Sequence, residues 1–263
     1  MKPKIEIVEE STYSIKFILR DCSLALANSL RRAMKSLVPT LAVDYVDFYV
    51  NTSYVYDEMI AHRIGLIPIK TDLNRFNLPS ECVCGGEGCP NCQISLRLNV
   101  EGPKVVYSGD FISDDPQITF VYDNIPVIEL FDGQQLMIEA VARLGTGKEH
   151  AKFQPVSVCY YKIIPKIEIS EKCNLCGDCI DACPRNVLTK KEKIEVSNLL
   201  NCSMCLECVK ACELKAISVE ETNDYLFNAE GTGALPVKEV VRKAIEILKD
   251  KAVEMNKILE EIH

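Results

Sequence analysis

No window of this sequence approaches the ~18 uninterrupted apolar residues that a bilayer-spanning helix needs, so it offers no candidate membrane segment. The opening MKPKIEIVEES alternates apolar and charged residues and turns acidic by Glu9, unlike the basic segment and apolar run of a signal peptide. The expectation is a soluble, cytoplasmic protein. An excess of positive charge is missing as well: 30 lysines and arginines face 38 aspartates and glutamates, for a formal net charge of -8. Such a surface does not grip phosphate backbones by counterion release, so protein partners are expected and substantial direct nucleic-acid binding is not. Catalytic signatures are also absent. There is no GxxxxGK(S/T), no GxGxxG and no HExxH, and Gly145-Thr-Gly147-Lys148 reads as a loop. Of three histidines, His62 falls in a short helix, His150 before a strand and His263 at the terminus, positions that suit packing or hydrogen bonding. No catalytic residue is expected on this chain.

What the sequence does contain is enough apolar content, 48%, for a globular core, together with 14 cysteines. Ile5 and Ile7, then Tyr13, Ile15, Phe17 and Leu19, alternate about a turn at Glu10-Ser11 and predict a β-hairpin. A helix follows, capped by Asp21 or Ser23, with Leu26, Leu30, Ala33 and Leu37 at helical spacing until Pro39. Val43, Tyr45 and the set Val46, Phe48 and Val50 fit a strand. Asp57 can cap a short helix ending at Gly65. Residues 66 to about 150 read as mainly β. At the far end, Pro236 opens a helix in which Val241, Ile245, Leu248, Ala252, Met255, Leu259 and Ile262 keep a heptad step. Val237, Val240, Ala244 and Ile247 add a second apolar face, so one face can pack at home while the other meets a partner helix.

Twelve cysteines fall into three tight clusters, and close CxxC spacing in an intracellular chain favours metal over disulfides. Cys173-x2-Cys176-x2-Cys179-x3-Cys183-Pro184 is echoed by Cys202-x2-Cys205-x2-Cys208-x3-Cys212, each run preceded by a strand, Lys166–Ser170 or Lys193–Ser197. The repeat has the layout of a two-cluster ferredoxin, in which three thiolates of a run hold one iron–sulfur cube and the fourth reaches the other. One ligand set is therefore Cys183, Cys202, Cys205 and Cys208. The other is Cys173, Cys176, Cys179 and Cys212, and it is the less secure of the two because Glu213 stands where the first run has proline. One or two 4Fe-4S clusters satisfy these runs, and so does a 3Fe-4S cluster held by three cysteines. The third set, Cys82-x-Cys84-x4-Cys89-x2-Cys92, suits tetrahedral zinc, with a disulfide or free thiols as the alternatives. Cys22 and Cys159 read as buried small apolar residues.

Four further stretches resemble one family. Asn28-Ser-Leu-Arg-Arg32 with Ser36-Leu-Val-Pro39 resembles the first-helix signature of the α/D class of RNA polymerase subunits. Asp57-Glu-Met-Ile-Ala-His-Arg-Ile-Gly-Leu-Ile-Pro68 resembles the helix and exit strand of archaeal D and its eukaryotic counterparts. Gly147–Pro155, and Tyr225–Glu230 with the helix from Pro236, are similar to that family's return segment and closing strand and helix. The resemblance implies an α+β fold: a split α-like dimerisation domain at 1–65, 150–165 and 222–263, with an inserted mainly-β domain at 66–149 and an inserted ferredoxin-like domain at 166–221. It implies a non-catalytic subunit of a nucleotidyltransferase that heterodimerises with subunit L. That pair, with subunits N and P, forms the platform for the large catalytic subunits. Leu30, Leu37, Val241, Ile245, Leu248, Met255 and Leu259 are the expected interface residues. The competing class is an electron-transfer subunit of a redox enzyme, which the cysteine runs alone would support. A DNA-touching zinc factor conflicts with the acidic balance.

Overall fold

Alternation in the first twenty residues closes an antiparallel hairpin of β1 (Lys4–Glu10) and β2 (Ser14–Arg20) in a computed structural model that describes residues 3–261. Helix α1 (Leu24–Ser36) starts where the Ser23 hydroxyl accepts the Leu26 amide at 3.2 Å, the capping role foreseen for it. The other candidate cap, Asp21, sits outside the helix in a left-handed conformation. The buried stripe of α1 is Ala27, Leu30, Ala33 and Met34, whereas Leu26, expected inside, is exposed. Ala27, one position on, takes the inward place in the first turn.

In β3 (Thr40–Asn51) the mixed parity of the sequence has a physical cause. Leu41 and Val43 are buried, the register shifts between Val43 and Tyr45, and thereafter Val46 and Phe48 face the core while Tyr45 turns out. One extra residue in a strand reverses which face every later side chain occupies. That residue, Asp44, accepts from Arg143 Nε at 2.8 Å and Lys152 Nζ at 3.0 Å. Helix α2 (Asp57–Gly65) begins after Tyr56 with no side-chain cap, and the expected cap Asp57 instead accepts from Asn51 Nδ2 at 2.6 Å. Its carboxylate still lies in the first turn, where the helix dipole favours it.

The predicted β region supplies β4 (Gln93–Glu101), β5 (Lys104–Tyr107), β6 (Ile112–Ser113), β7 (Pro126–Leu130) and β8 (Gln135–Gly145). They form a sheet of order β3-β8-β4-β6 and a β5-β7 pair. Next come β9 (Val156–Ile163), β10 (Lys166–Ile169), α3 (Asp178–Asp181), β11 (Leu188–Lys190), β12 (Ile194–Val196), α4 (Glu207–Lys210) and β13 (Ile217–Glu220). The chain closes with β14 (Tyr225–Gly231) and α5 (Val237–Glu261). Pro236 lies just before α5, its carbonyl accepting the Glu239 and Val240 amides.

Contacts divide the chain into two compact units. One holds the chain up to Glu10, Ile15–Asn28 and Tyr160–Asn228; the other holds Ser11–Ser14, Ser29–Cys159 and the chain from Ala229. In the first, the strands run in the order β1-β2-β14-β9, Phe17 stacks on Phe227 with centroids 4.9 Å apart, and Tyr161 packs on Phe227 and Tyr225. Here too β10 pairs with β13 and β11 with β12, nesting the two sequence repeats within one another. In the second, Ile60 and Ile64 of α2 join Leu96, Leu130, Leu136 and Phe120 in one apolar core. Val237, Val240, Val241 and Ala244 bury the start of α5.

Candidate metal centres

The nested repeats bring the cysteines together across the runs. Cys173, Cys176, Cys179 and Cys212 line one cavity, walled by Ile169, Ile194 and Ile217. Cys183, Cys202, Cys205 and Cys208 line another, walled by Ile167, Val187, Leu188 and Val219. The first encloses about 130 Å³ and the second about 20 Å³. Both loops curl through left-handed residues at matched positions: Leu175 and Met204, Gly177 and Leu206, Asn186 and Lys215. The curl turns amides inward, so that Val187 N–H lies 3.4 Å from Cys183 Sγ, Met204 N–H 3.5 Å from Cys202 Sγ and Ala216 N–H 3.3 Å from Cys212 Sγ. Four thiols in an apolar hollow with amides on the sulfurs are the donor set of an iron–sulfur cluster, whose potential such hydrogen bonds tune. Burial pushes the Cys179 and Cys208 thiols up, helped by the neighbouring cysteines.

Two lysines that sequence reasoning passed over pin these loops. Lys190 Nζ donates to the Leu175 carbonyl at 2.5 Å and Lys162 Nζ to the Cys202 carbonyl at 3.2 Å. Nothing in their spacing from the cysteines gave a signal, because both reach in from separate strands. Desolvation lowers the Lys162 pKa.

The third set stands apart. Cys82, Cys84, Cys89 and Cys92 place their four Sγ atoms within 4.8 Å of one another, with Cys82–Cys89 at 3.5 Å and Cys84–Cys92 at 3.6 Å. These separations far exceed a disulfide bond of about 2.05 Å, and all fourteen cysteines are free. They approach the edge of about 3.8 Å that a tetrahedral zinc–thiolate site requires at a Zn–S distance of about 2.3 Å. Gly85, Gly86 and Gly88 hold positive φ between the ligands, a conformation in which a side chain would be strained. Amides of Gly88 and Gly86 draw the Cys84 pKa down to about 6, while burial pushes Cys92 up to about 12.

The expected interface residues separate into two groups. Leu30 and Val241 are buried in the chain's own packing and leave the candidate set, since neither offers surface to a partner. Leu37 and Leu248 are half-buried, and Ile245, Met255 and Leu259 are exposed. Ile258 borders the same exposed apolar strip of α5, and Val253 is exposed on another side of the helix. Ile262 and His263 lie outside the described residues. Cys22 is buried as expected; Cys159 is half-buried, its Sγ 3.9 Å from Met34 Sδ, and desolvation raises its pKa to about 11. No helix among the described residues is long and apolar enough to cross a membrane.

Residues 46–161 match the family described as RNA polymerase Rpb3/RpoA insert domain, and residues 166–213 match the 4Fe-4S dicluster domain. Together they account for an α+β chain in which an insert domain is followed by a ferredoxin-like iron–sulfur domain. The chain is 71% identical to DNA-directed RNA polymerase subunit Rpo3 of Archaeoglobus fulgidus over the whole of both sequences. It is 43% identical to the subunit of the same name from Methanosarcina acetivorans, again over 100% of each, and 40% identical to that of Pyrococcus horikoshii over 95% of each. At such identity over full length, this chain belongs to the family of DNA-directed RNA polymerase subunit Rpo3, and its functional partners are other polymerase subunits.

Proposed function

We propose that the chain is an assembly subunit that supplies no active site of its own to the cytoplasmic polymerase. It heterodimerises with subunit L, and the pair, with subunits N and P, forms the platform on which the large catalytic subunits assemble. Residues 1–65, 150–165 and 222–263 form the dimerisation domain, 66–149 the inserted β domain and 166–221 the cluster domain. The observation that carries this reading is the two-faced α5. Its first turns are buried through Val237, Val240, Val241 and Ala244, while Ile245, Met255, Ile258 and Leu259 present an apolar strip to solvent. An exposed heptad strip on a helix already anchored at one end is a surface built to pair.

Cys183, Cys202, Cys205 and Cys208 hold one 4Fe-4S cluster, and Cys173, Cys176, Cys179 and Cys212 a second cluster, of 4Fe-4S or 3Fe-4S type. Cys82, Cys84, Cys89 and Cys92 hold zinc. In this reading the clusters are structural cross-links. Pro184 fixes the chain after Cys183, whereas Glu213 leaves the end of the second run freer, which makes the second cluster the more labile. Affinity purification of the tagged chain under anaerobic conditions tests the whole. L, N, P and the large subunits should co-purify, with iron and zinc in the metal analysis and a 4Fe-4S signal by electron paramagnetic resonance after reduction. Recovery with a reductase in place of polymerase subunits would sink the assembly role.

A further inference from the structure

We propose that the hollow beside the second cysteine cavity, floored by Lys162 and Arg185, binds one oxyanion: a free inorganic anion such as phosphate, or the carboxylate of an acidic side chain on a neighbouring polymerase subunit. The hollow encloses about 500 Å³ and is lined by Lys162, Pro184, Arg185, Asn186, Asn201 and Ser203. An ammonium, a guanidinium, two carboxamides and a hydroxyl all donate hydrogen bonds, and no carboxylate lines the space. That donor set suits an oxyanion, with the guanidinium fork able to bind two oxygens at once.

The rest of the chain shows why this hollow is unusual. In a protein of net charge -8, Arg20, Arg97, Lys104, Arg143 and Lys152 each meet a carboxylate. Among the described residues no carboxylate forms an ion pair with Lys162 or Arg185. Lys162 Nζ donates to a neutral carbonyl, that of Cys202, which orients the ammonium without compensating its charge. Lys162 and Arg185 repel across the cavity, and an anion between them adds two attractions that outweigh the one repulsion. The frame is set by backbone: the Asn186 amide donates to the Cys183 carbonyl at 3.2 Å in a left-handed turn, and the Asn201 amide to the Asn198 carbonyl at 2.9 Å. Turns fixed before binding lose little backbone freedom when the ligand arrives.

Arg185 and Ser203 also line the cavity of Cys183, Cys202, Cys205 and Cys208. With a cluster bound there, an electron added to it and an anion in the hollow compete for the favourable field of the same guanidinium. Anion affinity therefore falls on reduction and, by reciprocity, the anion lowers the cluster's midpoint potential. This linkage rests on the cluster assignment above; the anion site does not.

The test is calorimetric titration of the anaerobically reconstituted full chain with inorganic phosphate at low ionic strength, for the wild type, Lys162→Gln, Arg185→Gln and Arg185→Lys. A parallel measurement compares acetylation of Lys162 in the isolated chain and in assembled polymerase by mass spectrometry. Phosphate should bind, weakened by about tenfold or more in either Gln variant and largely retained in Arg185→Lys, a charge-preserving control for folding. If phosphate does not bind but Lys162 is protected in the assembled polymerase and not in the isolated chain, the occupant is a neighbour's carboxylate. Absence of phosphate binding, or binding indifferent to both Gln variants, together with equal acetylation of Lys162 in the two states, overturns the site. Phosphate affinity unchanged by dithionite reduction overturns the linkage alone.

Discussion

If the outer strip of α5 is the surface that meets L, then charging it should abolish pairing while leaving the isolated chain intact. Met255 is 64% and Leu259 50% exposed, so neither makes much of the chain's own stability. Burying the exposed half to two thirds of each against a partner stabilises the pair by about 1 kcal/mol or somewhat more, the matching share of the roughly 1.5–3 kcal/mol for burying a whole aliphatic side chain. Replacing both with Asp removes about 2 kcal/mol of burial and places two unpaired carboxylates at an apolar seam, each costing on the order of 2 kcal/mol or more. At about 1.4 kcal/mol per tenfold, the sum of roughly 6 kcal/mol predicts pairing weakened by more than about a thousandfold. Titration of the Met255→Asp/Leu259→Asp variant with purified L by calorimetry reads this directly. Its melting temperature alone should stay within about 2 °C of the wild type, as surface changes usually do. Lys257→Glu, roughly opposite on the same helix, is the control and should pair normally. Undiminished pairing in the double variant, or an equal loss in the control, would refute the assignment of this face.

Three further outcomes follow from the same structure. Replacing Cys183, Cys202, Cys205 and Cys208 with Ser should open residues 166–221 to limited proteolysis while pairing with L persists; the buried apolar residues there, Cys179, Val187, Leu188, Ile194, Ala216 and Ile217, make a core too small to hold without cross-links. Asp44→Asn should cost about 1–2 kcal/mol, read as a lower melting temperature, because it removes two charge-assisted bonds at a bulge. Burial raises the Asp44 carboxyl, but the bonds from Arg143 and Lys152 outweigh it and hold its pKa below the usual aspartate value, so its contribution is full above about pH 4 and lost as pH falls through the lower folded value, and the difference from the Asn variant should vanish there. Gly177→Leu should destabilise the cluster loop by about 1–2 kcal/mol in anaerobic thermal melts, from strain at its positive φ alone, since a Cβ there meets no atom within 4 Å.

Much of the fold was legible because its signals are periodic. The hairpin, α1, the region of five strands and α5 all follow from alternation or helical spacing, and the cysteine runs forecast which thiols would share a cavity. What escaped was set by single residues that break a period. Asp44 is one extra residue in β3, and it reverses the strand so that Val43 and Val46 both point inward, a pattern no uniform alternation produces. Leu26 and Ala27 show the same limit in α1: the larger residue looked like core, yet the smaller one is buried.

The faces of α5 mark a different boundary. Its sequence offers two apolar stripes of similar strength, and hydrophobicity cannot say which one the chain keeps for itself. The structure resolves this at the start of the helix, where Val240 and Ala244 are buried while Ile245 is exposed. Val241 belongs to the heptad stripe and is nonetheless buried, because at the first turns both stripes lie against the chain's own core. Past Ala244 the fully buried stripe ends, and the heptad stripe, half-buried at Leu248, is exposed at Ile245, Met255 and Leu259, so the residues available for pairing are those past the point where the core stops. The same logic applies to Lys162: it is a strand residue with an ordinary charged spacing, and its use emerges only because the turn after Cys183 carries Arg185 to the same hollow. Charge placed by turns, unlike charge placed by helices, has no period to read.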